Sequence, residues 1–163
     1  LRKEVDKYTW IDIGSSFLPS EITAAMLLGQ LETLKAINTA RLKIWDAYQG
    51  AFAGLEREGR LRRPKLTGGA RHNAHLYYLV LPNAAEREAF MQRMKTAQIG
   101  VAFHYVPLHS SPAGQRFGRV ASPMTNTERA GDGLVRLPLW PGMKAVDVER
   151  VINVVLSHFG GAS

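Results

Sequence analysis

The run His75-Leu76-Tyr77-Tyr78-Leu79-Val80-Leu81 constrains the fold more than any other stretch of the chain. It is aromatic and aliphatic, far too short to span a membrane, and has no helical spacing. Such a run is predicted to be a buried strand, with His75 inside it as a core histidine. Pro82 has no N–H to donate and closes it. A buried strand needs partners, and two more short runs supply them: Val101 to Val106, stopped by Pro107, and Val135-Arg136-Leu137-Pro138-Leu139.

Helical signals surround these strands. Ser20 is a good N-cap, with Glu21 in the first turn and a broad apolar face of Ile22, Ala25, Met26, Leu28, Leu31 and Leu34 behind it. Ile37, Ala40, Leu42, Ile44, Trp45, Tyr48, Phe52 and Leu55 continue the pattern to about Gly59. These residues predict two long helices, or one with a bend near Gly29 or Asn38. Asn83 caps a helix to about Ala97, with Phe90, Met91 and Met94 facing the core. Residues 108–124 read as a loop, because Pro112, Gly114, Gly118 and Pro123 interrupt them; Thr125 then caps a short helix. A last helix runs from about Val146 to Phe159, with Val148, Val151, Ile152, Val155 and Leu156 inward. Two helices followed by strand, helix, strand, loop, strand and helix make an α+β chain with a small sheet packed with helices.

Composition narrows the function. The chain has no cysteine, which excludes disulfides and thiolate metal sites and fits a cytoplasmic protein. No window approaches the roughly 18 consecutive apolar residues of a membrane helix. Leu1-Arg2-Lys3-Glu4 is neither a start methionine nor a signal peptide and reads as the interior of a longer chain. The net charge of +7 favours anionic partners, unless it belongs to one piece of a differently charged whole. Nucleic acid is not expected as a partner, since the basic run Arg57 to Lys65 has no interleaved aromatics.

Five histidines are the main chemical candidates. His104 and His109 flank a proline and have no acid beside them in sequence, so no metal site is expected. His158 suits the negative end of the last helix. His104-Tyr105-Val106-Pro107-Leu108-His109 ends a strand and begins a proline-fixed loop, displaying two imidazoles and a phenol. These groups can hydrogen-bond sugar hydroxyls or a diphosphate; equally, this is a polar loop that contains histidines. No nucleophile elbow or glycine-rich phosphate loop is present.

Several segments, in order, resemble the DegT/DnrJ/EryC1/StrS sugar aminotransferases, and within them the branch that makes dTDP-4-amino-4,6-dideoxygalactose. They are Val5 to Trp10, Asp12 to Leu18, Ala24-Ala25, Gln30-Leu31-Glu32, Asn73 to Tyr78, Phe103 to His109 with Ser111-Pro112-Ala113-Gly114, and Arg136-Leu137-Pro138-Leu139. The resemblance implies the C-terminal small domain of a fold-type-I transferase dependent on pyridoxal 5'-phosphate. Residues 1–59 would be the end of the large domain and connecting helices, and residues 60–163 the small α+β domain. It implies amino transfer from L-glutamate to the 4-keto carbon of a dTDP-4-keto-6-deoxyhexose, in nucleotide-sugar and cell-surface polysaccharide synthesis. The alternative from charge alone is a non-catalytic basic module that binds an anionic partner.

The family's cofactor is held as a Schiff base on a lysine in a Ser-rich motif. None of the seven lysines here stands in such a motif, so that lysine is expected upstream of Leu1, and no catalytic residue is assigned within the chain. Members are homodimers with sites at the subunit interface. Many carry an asparagine where Ser16 stands, reaching the partner's cofactor phosphate; a serine hydroxyl can make the same bond, so Ser15 and Ser16 are expected at the cofactor. Tyr8 and Trp10 would line the partner's site, and His104, Tyr105 and His109 would face substrate. The chain alone is expected to be inactive.

Overall fold

The computed structural model describes residues 17–104 and 106–160. Tyr8, Trp10, Ser15, Ser16 and Tyr105, and the turn expected at Gly14, lie outside the described residues. The chain divides into two compact units, Leu1–Leu34 and Lys35–Ser163.

In the first unit, helix α1 spans Glu21–Glu32. The Ser20 side chain accepts the Thr23 N–H, as the sequence predicts. None of its residues is buried, and Ile22, Met26, Leu27, Leu28 and Leu31 are all exposed. The helix breaks at Thr33 rather than at Gly29 or Asn38. There the threonine hydroxyl turns back to the Gly29 and Gln30 carbonyls, a local bond that competes with helix continuation.

The second unit holds one core. Helix α2 (Leu34–Ala51), the short α3 (Ala53–Arg57) and Phe52 between them supply Ile44, Trp45, Tyr48, Phe52 and Leu55 to it. Strand β1 (Tyr77–Val80) leads to helix α4 (Ala84–Thr96), then strand β2 (Ala102–Phe103). Helix α5 (Pro112–Phe117), helix α6 (Thr125–Gly133), strand β3 (Leu134–Leu137) and helix α7 (Ala145–His158) follow. The sheet is antiparallel with order β1-β3-β2, so the last strand in sequence is central. Tyr77 pairs with Leu137 and Leu79 with Val135, and these four side chains form its buried face. That face joins Phe90 and Met94 of α4 and Val148, Val151 and Val155 of α7. Tyr48 and Tyr77 hydroxyls reach the core's margin and bond the Pro138 carbonyl and the Gln49 side chain, both at 2.9 Å.

The strands are shorter than the sequence predicts. Ala74 takes φ +50, His72 Nδ1 accepts the Ala74 N–H and Asn73 Oδ1 accepts the His75 N–H. These local bonds keep residues 72–76 out of the ladder, and His75 is exposed instead of lying in the core. In the second run only Ala102 and Phe103 pair with β3. The segment read as one loop over 108–124 contains a 3-10 turn (Leu108–Ser110) and α5. Its start is fixed by Ser111, whose side chain accepts the Gly114 N–H. Thr125 is the first residue of α6 rather than its cap, and no side chain caps that helix. The caps of α4 are as expected: Asn83 Oδ1 accepts the Glu86 N–H at 2.9 Å.

Candidate functional site

The segment between β2 and α6 carries the candidate chemistry. β2 is an edge strand, held to β3 through Ala102 opposite Arg136 and Phe103 opposite Val135. Arg136 Nη2 also donates to the Phe103 carbonyl at 3.3 Å. His104 follows, exposed. Pro107 then turns the chain onto α6: a Cβ at Gly131 would come within 2.9 Å of the proline ring, so Gly131 permits the approach. The 3-10 turn places His109, and Ser111 closes it by donating to the Leu108 carbonyl at 2.7 Å. Gly114 passes so near that a Cβ there would sit 1.7 Å from the Leu108 oxygen. Only glycine fits, and the loop's shape depends on it.

These contacts turn His109 inward. Its side chain is 15% exposed, and its Nε2 lies 3.2 Å from Glu128 Oε1 on α6. A carboxylate on Nε2 fixes the proton there in the neutral ring and leaves Nδ1 to meet a ligand. Glu128 is the residue that sequence reasoning missed. It lies nineteen positions away, on another element, and no local motif links the two.

The surroundings combine cations with apolar surface. Arg87 lies over the Phe103 ring at 5.8 Å and donates to the Gly131 carbonyl at 3.0 Å; Arg116 lies over the Phe117 ring at 4.8 Å. Val106, Leu108 and Phe117 are exposed. Guanidinium groups, an oriented imidazole and apolar faces suit a ligand that has both anionic groups and a ring.

The other histidines are elsewhere. His72 meets the Trp45 ring edge-on at 4.5 Å, and His158 lies against Phe90 and Phe159. Among the described residues no group of three or more His, Asp or Glu could hold a metal, and no helix is long and apolar enough to cross a membrane. The five described lysines, Lys35, Lys43, Lys65, Lys95 and Lys144, are all exposed. A lysine that holds pyridoxal phosphate needs a sheltered pocket. The described residues therefore do not by themselves fit that cofactor.

Residues 1–156 match the DegT/DnrJ/EryC1/StrS aminotransferase family. The chain belongs to that family. An uncharacterized protein of Methanocaldococcus jannaschii, MJ1066, is 28% identical over 152 residues, covering 91% of this chain and 39% of the relative. Among solved structures, the aminotransferase TlmJ from Streptoalloteichus hindustanus is 25% identical with a TM-score of 0.74, over 86% of this chain and 36% of that one. The putative sugar aminotransferase Spr1654 from Streptococcus pneumoniae, in its PMP form, is 25% identical with a TM-score of 0.71, over 84% and 34%. This DegT/DnrJ/EryC1/StrS chain thus spans well under half the length of the proteins it matches. Its small antiparallel sheet packed with helices is the α+β arrangement of the fold-type-I aminotransferases.

Proposed function

We propose that this chain is the C-terminal part of a pyridoxal-phosphate-dependent aminotransferase. Its reaction moves an amino group from L-glutamate to the 4-keto carbon of a dTDP-4-keto-6-deoxyhexose, for nucleotide-sugar and cell-surface polysaccharide synthesis. The observation that carries this reading is His109, inward-facing and held by Glu128 on a loop flanked by Arg87 and Arg116. The loop begins in the segment Phe103 to His109 that most resembles the family.

In this reading His104, Tyr105 and His109 contact the nucleotide sugar, and the arginines offset its diphosphate charge. Ser15 and Ser16 reach the cofactor phosphate, and Tyr8 and Trp10 line the partner subunit's site in a homodimer. Residues 1–59 carry the end of the large domain and the connecting helices, and residues 60–163 the small domain. Bound pyridoxal phosphate supplies the electron sink, and its lysine lies upstream of Leu1. A cysteine-free enzyme of this kind belongs in the cytoplasm.

A basic binding module is the weaker reading. Arg63, Arg87, Arg136 and Arg150 each donate to a backbone carbonyl within the chain, which occupies part of the donor capacity that an anionic partner would need.

The test uses the longer protein. Borohydride reduction with pyridoxal phosphate, followed by peptide mass spectrometry, is expected to label a lysine upstream of Leu1. No labelled lysine, or a label on Lys7, would overturn the assignment. In the same protein His109→Ala is expected to lower kcat/KM for the nucleotide sugar by about tenfold to a hundredfold, with KM for glutamate little changed.

A further inference from the structure

The connector between α3 and β1 holds the densest positive charge in the chain. Residues 56–71 carry six cations against Glu56 and Glu58, a net +4 in a chain whose total is +7. Both acids are already engaged. Glu56 holds Arg63 at 2.8 Å, and Glu58 faces Arg60 at 4.0 Å. The side chains of Arg57, Arg62 and Arg71 are exposed and have no hydrogen-bond or ion-pair partner among the described residues. Thr67 to Ala70 make a tight turn, closed at 3.0 Å with Gly69 at φ +79, which reverses the chain between Lys65 and Arg71.

Helix α6 adds a cation to this surface. Arg62 and Val80 exchange both backbone hydrogen bonds at 2.9 Å, and residues opposed in this way send their side chains to one face. Gly133 lies so near the end of β1 that a Cβ there would be 2.2 Å from the Leu81 oxygen. Arg129 stands one turn earlier on that face of α6. Arg62 and Arg129 accordingly line one cleft of about 330 Å³, floored by Leu61, Val80, Leu81 and Pro82. Arg129 too is exposed, and its side chain has no partner among the described residues. No acidic side chain lines this cleft. Charges of one sign above a packed apolar floor focus the field and draw in anionic groups.

We propose that the connector and this cleft dock an acidic segment of another protein. One carboxylate sits between Arg62 and Arg129, and further carboxylates lie along Arg57, Lys65 and Arg71. Guanidinium groups suit this role because their paired N–H donors match a carboxylate. The connector also exposes Leu66 and contains no aromatic residue. It offers an aliphatic contact to a peptide and no stacking platform to a nucleic acid. The surface leaves the reaction proposed above as it stands; the inference does not depend on that reading, and its test needs no catalysis.

The experiment follows the fluorescence anisotropy of a fluorescein-labelled oligoglutamate peptide titrated with the 163-residue chain at low salt. Saturable binding is expected with a Kd of about 10–100 μM, weakening as salt is raised. Arg62→Gln and Arg129→Gln are each expected to weaken it about threefold to tenfold. Both variants are expected to keep the thermal unfolding midpoint, since neither guanidinium has a partner among the described residues. Lys144→Gln removes the same charge at the start of α7 and is expected to change affinity by less than about twofold. Absence of binding overturns the proposal, as does peptide binding that Arg62→Gln and Arg129→Gln leave intact. So does an equal loss in all three variants, which would mark a response to net charge alone. Tighter binding of an oligothymidylate of the same charge, displacing the peptide, would make this a nucleic-acid surface and overturn it as well.

Discussion

His158 shows how burial overrides helix polarity at a single residue. It lies in the last turn of α7, where the negative end of the helix would favour the charged ring. Its imidazole nevertheless stands edge-on to Phe90 at 5.2 Å and to Phe159 at 4.8 Å. Desolvation there holds its pKa below the ordinary histidine value, and Glu86 only partly offsets the effect. The folded state therefore binds this proton more weakly than the unfolded chain, whose histidines titrate near about 6.5. The stabilisation is complete above that pH and is lost as pH falls through it toward the folded value. Thermal unfolding midpoints are expected to drop between about pH 7.5 and about pH 5.5, and His158→Phe to flatten that drop. An unchanged slope in the variant would assign the drop to other groups. Glu56 acts in a lower window. Its carboxylate accepts the Arg63 backbone N–H and two guanidinium bonds at 2.8–2.9 Å, which hold its pKa down, so its contribution disappears only as pH falls below the usual carboxylate range.

At the scale of elements, α5 is the most dependent on a few atoms. It has no buried residue and rests on the Ser111 cap and the Gly114 close approach. Gly114→Ala would force a methyl against the Leu108 carbonyl, and backbone must move. The expected outcome is loss of amide-exchange protection over residues 108–117, with core stability changed by less than about 0.5 kcal/mol. A large drop in core stability would show that the loop is coupled to the sheet. The same element marks where the sequence stopped being legible. Helices α4 and α7 could be read because Asn83 is a strong cap and because Val148, Val151 and Val155 repeat at helical spacing. Helix α5 could not, since Pro112-Ala113-Gly114 has no apolar period and the helix depends on contacts with a turn. The strands lie where the apolar runs predict but are shorter; at β1 side-chain bonds from His72 and Asn73 withdraw the backbone before Tyr77. His104 and His109 were visible as candidates. Glu128 was not, because its role arises only when α6 folds beneath Pro107.

For the molecule as a whole, the second unit is a single hydrophobic cluster to which α2, α3, β1, β3, α4 and α7 all contribute. Phe90 is fully buried within it. Phe90→Ala is expected to cost about 3–5 kcal/mol, as a lower denaturation midpoint for that whole unit. Fraying confined to α4, with the rest unaffected, would contradict a single core. The strand order has a consequence in time. Synthesis delivers β1, then β2, and only after about thirty more residues the strand that lies between them. Until β3 leaves the ribosome, β1 has only the two-bond bridge between Val80 and Arg62, β2 has no strand beside it, and the apolar face of Tyr77 and Leu79 has no sheet to join. The sheet of the second unit forms by late insertion rather than by growth from one edge, so a nascent chain stalled before Leu137 would be a substrate for chaperones.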